Sequence, residues 1–319
     1  MTKLRAFVIA SVAISSIAMA GTAFAQTRQS VALVVGQSGD PFFTSMQCGA
    51  EEAAGKLGLD LFTTGPTSYD PSMQVSVLDA TLARNPVGLA LVPTSRKALI
   101  PSVERANSMN IKIVQLDTTV DSDIPLSTIG TDNVEGGRRA GERIVDLLGQ
   151  AGGEVLVVGN IPGISALDER HQGFNEVIRK HPNIQVVGVE YSGADPSKTV
   201  SILNATLTAH PDLKGIFVDS TLSAEAMGNA IAQKGLQNAL AVVAFDASPR
   251  EVELVRQGAI DELVVQNPRK MGYDAIAQLS AALRGRPVEK RILTPIAIVD
   301  RKNVNSDEMK KVVYVKSCK

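Results

Sequence analysis

The chain alternates short apolar runs with helical patterns along almost its whole length, and this rhythm limits the folds open to it. Between residues 31 and 116, four apolar runs are separated by helix-like stretches. The same rhythm resumes at GEVLVVG (153–159) and continues to LAVVAF (240–245). Short, continuous apolar runs joined by helices are typical of parallel strands that are buried on both faces. The sequence therefore predicts an α/β fold built on parallel sheets.

An internal repeat indicates that the fold has two similar halves. The segments DPSMQVSVLDATLARNP (70–86) and DPSKTVSILNATLTAHP (195–211) are identical at 10 of 17 positions without a gap. Each begins with Asp as a helix N-cap and Pro in the first turn, which is a favourable helix start. Because the chain also exceeds the usual size of one domain, we expect two lobes.

The crossing from one lobe to the other is expected near Thr131. In STIGTDNVEGG (127–137), Asp132 followed by Glu135 is typical of a capping box that begins a new helix. A last helix begins at Asn267-Pro268, and the strand-like stretch RILTPIAIVD (291–300) follows it. Since two βα sets are already complete before this point, these final elements must add to one or both lobes.

The first 25 residues have the pattern of a cleavable export signal. Lys3 and Arg5 precede an uncharged run (6–25) that ends in Ala23-Phe24-Ala25, a small-x-small cleavage pattern. A membrane-anchoring helix is the alternative, because an uncharged run of this length can just span a bilayer. The Ala- and Ser-rich composition favours a signal peptide (1–25), so we expect an exported mature chain (26–319).

Charge and histidine spacing argue against several classes of partner. Removing the signal takes away two of the 32 Lys and Arg residues and leaves 30 against 33 Asp and Glu, a net charge of −3. Such a chain has no electrostatic footprint for nucleic acid or for an anionic membrane surface. The three histidines lack metal-ligand spacing, and we expect neither a metal nor a cofactor.

The two cysteines, Cys48 and Cys318, lie 270 positions apart. In an oxidising compartment, a disulfide that ties the end of the chain to the first helix is one interpretation. Two unpaired thiols are the other, and the sequence leaves both open.

Residues at the ends of the predicted strands are the candidates for a binding site. In open α/β sheets, ligands bind beyond the carboxyl ends of the parallel strands. The polar and aromatic residues at or just beyond those ends are Asp40, Phe42, Phe43, Asp117, Thr118, Arg170, Ser220, Asp246 and Gln266. Asp117 and Asp246 hold equivalent places in the two halves, each directly after an apolar strand.

These residue types suit a polyhydroxylated ligand. Carboxylates accept hydrogen bonds from vicinal hydroxyls, and an Arg side chain such as that of Arg170 donates two in parallel. The rings of Phe42 and Phe43 can stack on the apolar face of a sugar.

Structural roles are open for the same residues. Asp40 can serve as the N-cap of the helix that Pro41 begins, and one of the two phenylalanines can belong to the core. Asp117 and Asp246 can cap local turns. Arg170 can pair with Asp168 or Glu169 on a helix surface.

Catalytic motifs are missing from the sequence. It contains no Gly-x-Gly-x-x-Gly after a strand, no phosphate-binding Gly-x-x-x-x-Gly-Lys, no Gly-x-Ser-x-Gly and no His-Glu-x-x-His. Two carboxylates across a cleft could serve glycoside hydrolysis. A chain with no Trp and 4% aromatic residues offers little surface for an oligosaccharide, so we expect a binding protein and not an enzyme.

Seven segments stand out in order along the mature chain: ALVVGQSGDPFF, IKIVQLDTT, TDNVEGGRRAGE, DERHQGF, LTAHPD, VVAFDASP and VVQNP. Together they resemble the periplasmic sugar-binding proteins of the ribose-binding type, the soluble receptors of ABC importers. The resemblance implies the type 1 periplasmic binding protein fold, with two Rossmann-like lobes of parallel sheet joined by three hinge crossovers. It implies an N-terminal lobe of 26–131 plus 267–294 and a C-terminal lobe of 132–266 plus 295–319.

The resemblance also assigns ligand contacts and shows where this chain departs from ribose binders. Phe42, Phe43, Asp117, Arg170, Asp246 and Gln266 match the family's residues. Asp40 and Ser220 each stand where ribose binders carry Asn, Thr118 where they carry Arg, and Ala194 where a stacking Phe is expected, a ring that Tyr191 could partly replace. The changes at 40 and 118 make the pocket more negative by two charges, so we expect another monosaccharide, a polyol, or a deoxy or amino sugar.

The implied function is that of a monomeric periplasmic receptor that closes about its hinge on a sugar or polyol and docks on an ABC transporter permease. Residues 133, 266–267 and 294–295 lie near the inferred crossovers. A sensor that presents its ligand to a chemoreceptor or a sensor kinase is the alternative. A lactose-repressor-type regulator shares this core but needs an N-terminal helix-turn-helix, where an export signal stands instead.

Overall fold

In the computed structural model, which describes residues 29–318, the first part of the chain folds as a βα lobe. Asp40 and Asp70 cap two of its helices, and Pro follows each of them in the first turn. Its elements are β1 (Ser30–Val34), α1 (Pro41–Leu57), β2 (Asp60–Thr64), α2 (Pro71–Ala83), β3 (Gly88–Leu91), α3 (Ile100–Ser108), β4 (Lys112–Leu116) and β5 (Thr128–Thr131).

The second lobe repeats this arrangement. Asp195 caps α6 as Asp70 caps α2, so the repeated segments do occupy equivalent helices. Its elements are α4 (Asn133–Leu148), β6 (Gly153–Gly159), α5 (Ser165–Ile178), β7 (Ile184–Tyr191), α6 (Pro196–Ala209), β8 (Leu213–Val218), α7 (Thr221–Lys234), β9 (Ala241–Phe245), α8 (Pro249–Gln257) and β10 (Glu262–Val265).

The last elements are shared between the lobes. They are α9 (Pro268–Leu283), β11 (Arg291–Thr294) and β12 (Ala297–Asp300). The strand orders are β11-β5-β4-β3-β1-β2 in the first sheet and β12-β10-β9-β8-β6-β7 in the second, so the two sheets have matching topology. The chain thus passes between the lobes after β5, after β10 and after β11.

The strand-like stretch 291–300 is two strands, and the second one departs from the expected parallel arrangement. β11 pairs parallel with β5, whereas β12 pairs antiparallel with β10, with Ala297 opposite Val265. A parallel neighbour needs a long crossover connection. Only Pro295 and Ile296 separate β11 from β12, so the chain enters the second sheet at the carboxyl end of β10 and runs back along it.

The end of the chain contacts both lobes, whereas the sequence assigned 295–319 to the C-terminal lobe alone. The Tyr314 N–H donates to the Ala247 carbonyl in the second lobe, and the Val315 N–H donates to Ser45 Oγ on α1, 2.8 Å away. Cys318 and Cys48 form a disulfide bond. We call residues 312–318 the C-terminal strap.

Each lobe is also built on one very close pair of helices, α1 with α9 and α4 with α5. A Cβ on Gly49 would lie 1.8 Å from the Arg269 carbonyl oxygen, and one on Gly272 would lie 1.9 Å from the Met46 carbonyl oxygen. Gly137 and Gly173 make the same kind of contact in the second lobe, at 2.0 and 1.9 Å from opposing carbonyls. These backbones touch because the facing residues have no side chain.

The predicted signal peptide (1–25) lies outside the described residues. Within residues 29–318, no helix combines the length and the apolar character that crossing a membrane requires.

We predict that Gly272→Ala lowers the free energy of unfolding by more than about 2 kcal/mol, because the added methyl group must push α1 and α9 apart. Gly55→Ala is the matched control on α1, since a Cβ there meets no atom within 4 Å. It should be neutral or stabilise by up to about 1 kcal/mol through helix propensity. Urea unfolding measures both, and equal effects of the two variants would contradict the close helix contact.

Candidate functional site: the interlobe cleft

A cleft of about 620 Å³, partly open to solvent, lies between the two lobes at the carboxyl ends of their strands. This volume includes open solvent at the mouth of the cleft. All nine residues singled out in the sequence line it: Asp40, Phe42, Phe43, Asp117, Thr118, Arg170, Ser220, Asp246 and Gln266. Five of them come before β5 in the chain and four come after it, so both lobes contribute to the lining.

Asp117 and Asp246 occupy equivalent left-handed turns. Each directly follows a strand, β4 or β9, and their φ angles are +61° and +83°. Asp is one of the few residues with a side chain that adopts this conformation at modest cost. The same kind of turn therefore places each carboxylate at the end of its strand, and the two carboxylates line one cleft from opposite lobes.

Asp246 is held by three hydrogen bonds. Gln266 Nε2 and the Tyr314 hydroxyl donate to Oδ1 at 2.8 and 2.9 Å, and Thr221 Oγ1 donates to Oδ2 at 2.9 Å. Gln266 Oε1 in turn accepts from Thr131 Oγ1, across the hinge in the first lobe, at 2.8 Å. The orientation of this carboxylate is thus tied to both lobes and to the C-terminal strap.

Arg170 is buried in the second lobe, so the interpretation of a surface ion pair with Asp168 or Glu169 is wrong. Its Nε donates to Asn133 Oδ1 at 3.0 Å and its Nη1 to the Asp219 carbonyl at 2.6 Å. The guanidinium lies 4.0 Å from the centre of the Phe245 ring. These contacts fix the plane of the guanidinium, and its Nη2 remains available to donate a hydrogen bond into the cleft.

Asp40 has a structural role as well as a place in the cleft. Its Oδ1 accepts the Phe42 N–H at 2.7 Å and thereby caps α1. The N-cap interpretation is confirmed, and the carboxylate still lines the cleft.

The two adjacent phenylalanines are both buried, and both line the cleft. Their rings meet edge to face, with centroids 5.1 Å apart. Phe43 stacks with Tyr69, and Phe42 meets the edge of Tyr314 at 5.6 Å. One wall of the cleft is therefore a rigid aromatic cluster.

Thr118 and Ser220 are polar lining residues with internal partners. The Thr118 hydroxyl donates to the Pro93 carbonyl at 2.5 Å. Ser220 precedes α7, where its Oγ lies 3.3 Å from Ser223 Oγ. The short Thr118 side chain is thus bound back to its own lobe.

Burial makes two of the cleft carboxyl groups weak acids. Desolvation raises the pKa of Asp117 to about 7, the charges of Asp246 and Asp40 add to the rise, and Arg170 opposes it. Desolvation likewise raises the pKa of Asp40 to about 6, against the lowering effect of the Phe42 N–H. Both groups therefore change charge near neutral pH.

The sequence missed several residues at this site, Thr221 among them. Tyr69 and Asn160 line the cleft just beyond β2 and β6. The rule that ligands bind beyond the carboxyl ends of parallel strands, called the strand-end rule below, would have found them. Tyr314 contacts Phe42 and Asp246 from the C-terminal strap, which has no periodicity to mark it. Ala194 lines the cleft as expected, but Tyr191 packs against His171 and is not among the lining residues.

Within residues 29–318, no group of three or more His, Cys, Asp or Glu side chains is arranged to hold a metal ion.

The family model described as "Periplasmic binding protein domain" matches residues 31–287. The chain therefore belongs to the periplasmic binding protein family, whose members bind solutes for transport.

Among curated proteins, it is similar to the ribose import binding protein RbsB of Escherichia coli, with 29% identity over 288 residues that cover 90% of this chain and 96% of that protein. The D-allose-binding periplasmic protein of Escherichia coli is 29% identical over 76% of this chain and 80% of its own.

Solved structures share the fold. An ABC transporter solute-binding protein of Agrobacterium vitis, bound with α-D-tagatopyranose, has a TM-score of 0.88 and 32% identity, covering 90% of this chain and 100% of that one. A carbohydrate transporter solute-binding protein of Agrobacterium radiobacter, in complex with D-arabinose, has a TM-score of 0.85 and 28% identity, with coverage of 90% and 99%.

We predict that the ligand-free protein loses stability as the pH rises from 5 to 7.5, and that Asp117→Asn removes part of this loss. The pKa of Asp117 is raised on folding, so in this range the folded state binds more protons than the unfolded state. The Asp117 contribution should be about 1–2 kcal/mol. Asn tolerates the left-handed turn. Urea unfolding at both pH values measures the effect, and an unchanged slope in the variant would contradict it.

Proposed function

We propose that this protein binds a monosaccharide or a related polyol in the interlobe cleft and delivers it to an ABC importer. The observation that carries the proposal is the meeting of Asp117, Asp246 and Arg170 with the aromatic pair Phe42–Phe43 in one cleft between two lobes. Membership of the periplasmic binding protein family supports it.

The chemistry of the lining suits a small polyhydroxylated molecule. Carboxylate oxygens accept hydrogen bonds from hydroxyl groups, and the free Nη2 of Arg170 can donate to a ring or hydroxyl oxygen. The rings of Phe42 and Phe43 offer an apolar surface for the C–H face of a pyranose or furanose.

The ligands of similar proteins belong to this class. Relatives are named for ribose and allose, and structural neighbours contain tagatose, arabinose and fucose. In this chain, Asp40, Thr118, Ser220 and Ala194 depart from the ribose pattern. We therefore propose a monosaccharide or polyol other than ribose.

Binding would be coupled to closure of the two lobes. Each lobe supplies half of the cleft, so a ligand that contacts both halves favours the closed form by its differential affinity. The Thr119 N–H of the first lobe donates to Ser165 Oγ of the second lobe at 3.0 Å. The three crossings, at 131–133, 266–267 and 295–296, are where backbone rotation would occur.

We further propose that the protein acts in the periplasm as a monomeric, non-enzymatic receptor. One chain supplies both walls of the cleft, and most of the polar cleft residues form hydrogen bonds within their own lobes. The closed pair of lobes would form the surface that docks on the membrane permease.

The test is thermal unfolding of the ligand-stripped mature protein against a panel of monosaccharides and polyols. A ligand at 100 times its dissociation constant should stabilise by about 2.7 kcal/mol, a shift in Tm of a few degrees. Asp117→Asn should reduce the shift strongly, because it removes the charge on one wall of the cleft.

Asp121→Asn is the control, since Asp121 lies in the same loop but is exposed and faces Arg96 on the surface. It should bind as the wild type does. No shift with any sugar or polyol would contradict the proposed ligand class and leave the fold in place.

A further inference from the structure

The cleft holds more negative charge than positive. Its charged lining residues are three carboxylates, Asp40, Asp117 and Asp246, and one guanidinium, Arg170, which give a net charge of −2 when all are ionised. Behind the cleft, Glu225 and Glu251 both accept hydrogen bonds from Ser248, and the charge of Glu225 acts on the Asp40 carboxylate with the same sign. The neighbouring elements thus deepen the imbalance.

Hydrogen-bond donors in the cleft are mostly used up. The hydroxyls of Thr221 and Tyr314 and the amide of Gln266 donate to Asp246, and the Thr118 hydroxyl donates to Pro93. Arg170 Nε and Nη1 donate hydrogen bonds within the second lobe. Arg170 Nη2 and the Asn160 amide group are the main donors in the lining that remain for a ligand.

Acceptors, by contrast, remain free. The Asp117 carboxylate accepts no hydrogen bond from any residue in 29–318, and only one oxygen of Asp40 is engaged, by the Phe42 N–H. Asn160 Oδ1, also in the lining, is buried and has no donor among those residues. Buried acceptors without partners are costly unless a ligand supplies the donors.

We infer that the natural ligand is a cationic polyol, such as an amino sugar or an aminopolyol, whose ammonium group binds at Asp40 and Asp117. An ammonium supplies three donors, accepts nothing and carries the missing positive charge. Asp246, already satisfied by three donors, is left to orient hydroxyl groups. This inference rests on the proposed function and narrows its ligand class.

The test compares matched ligands by isothermal titration on the ligand-stripped mature protein. The sets are D-glucosamine, D-glucose and N-acetyl-D-glucosamine; D-galactosamine and D-galactose; and D-glucamine and D-sorbitol. At least one amine should bind 10-fold or more tightly than its neutral parent, and acetylation of the amine should abolish the gain. The advantage should shrink as salt is added, because it is electrostatic.

Two variants isolate the charge. Asp40→Asn keeps an N-cap residue on α1 and removes one negative charge from the cleft. It should lower affinity for the amine 10-fold or more and lower affinity for the neutral parent at least 5-fold less than that. Asp70→Asn makes the same change in the same Asp-Pro helix start on α2, outside the cleft, and should change neither.

The outcomes separate this inference from the proposed function. Neutral sugars that bind as tightly as their amines, or more tightly, would overturn the cationic ligand and uphold the sugar receptor. Asp40→Asn and Asp70→Asn with equal effects would also overturn it. Failure of every sugar, polyol and amine to bind would overturn the proposed function, and the present inference with it.

Discussion

The cleft depends on two left-handed turns, at Asp117 and Asp246. All parallel strands end at the same edge of their sheet. A residue with positive φ directly after a strand turns the backbone away from this edge, and its side chain remains there. The two sheets have matching strand orders, so the same turn occurs once in each lobe. Because the sheets face one another, the two carboxylates meet across a single cleft.

The rest of the structure holds these turns in place. Close glycine contacts fix α1 against α9 and α4 against α5, and α1 and α5 carry Phe42, Phe43 and Arg170. The Thr131–Gln266–Asp246 chain of hydrogen bonds runs across the hinge. The C-terminal strap, fastened by the Cys48–Cys318 disulfide, presents the Tyr314 hydroxyl to Asp246. A residue from the very end of the chain thus helps to orient the site.

Most of the cleft was predictable because the strand-end rule depends only on strand positions, and continuous apolar runs mark these strands clearly. The roles of single residues were less accessible. Burial of Arg170 depends on Asn133 and Phe245, which are distant in sequence. Tyr314 reaches Asp246 only because the chain end folds back over the hinge. β12 is antiparallel because only two residues connect it to β11. This short connection was not visible in the sequence, because the apolar run continues through Pro295.

The same geometry explains why charge is the sensitive property of this cleft. Burial raises the pKa of Asp117 to about 7 and that of Asp40 to about 6, so both groups are partly protonated near neutral pH in the empty protein. A bound cation favours their ionised forms, whereas a neutral ligand that only excludes water favours the protonated forms.

Counting protons on binding distinguishes these two cases. Isothermal titration of the tightest ligand at pH 6.5, in buffers of different ionisation enthalpy, gives the number of protons released. Asp40 and Asp117 are the titrating carboxyl groups, and Asp246, Arg170 and Glu225 surround them, whereas burial raises the pKa of the nearby Glu251 well above its usual range. We predict release of about one proton in total, most of it from Asp117, so Asp117→Asn should release much less. No release, or uptake of protons, would contradict a cleft whose carboxylates bind a cation.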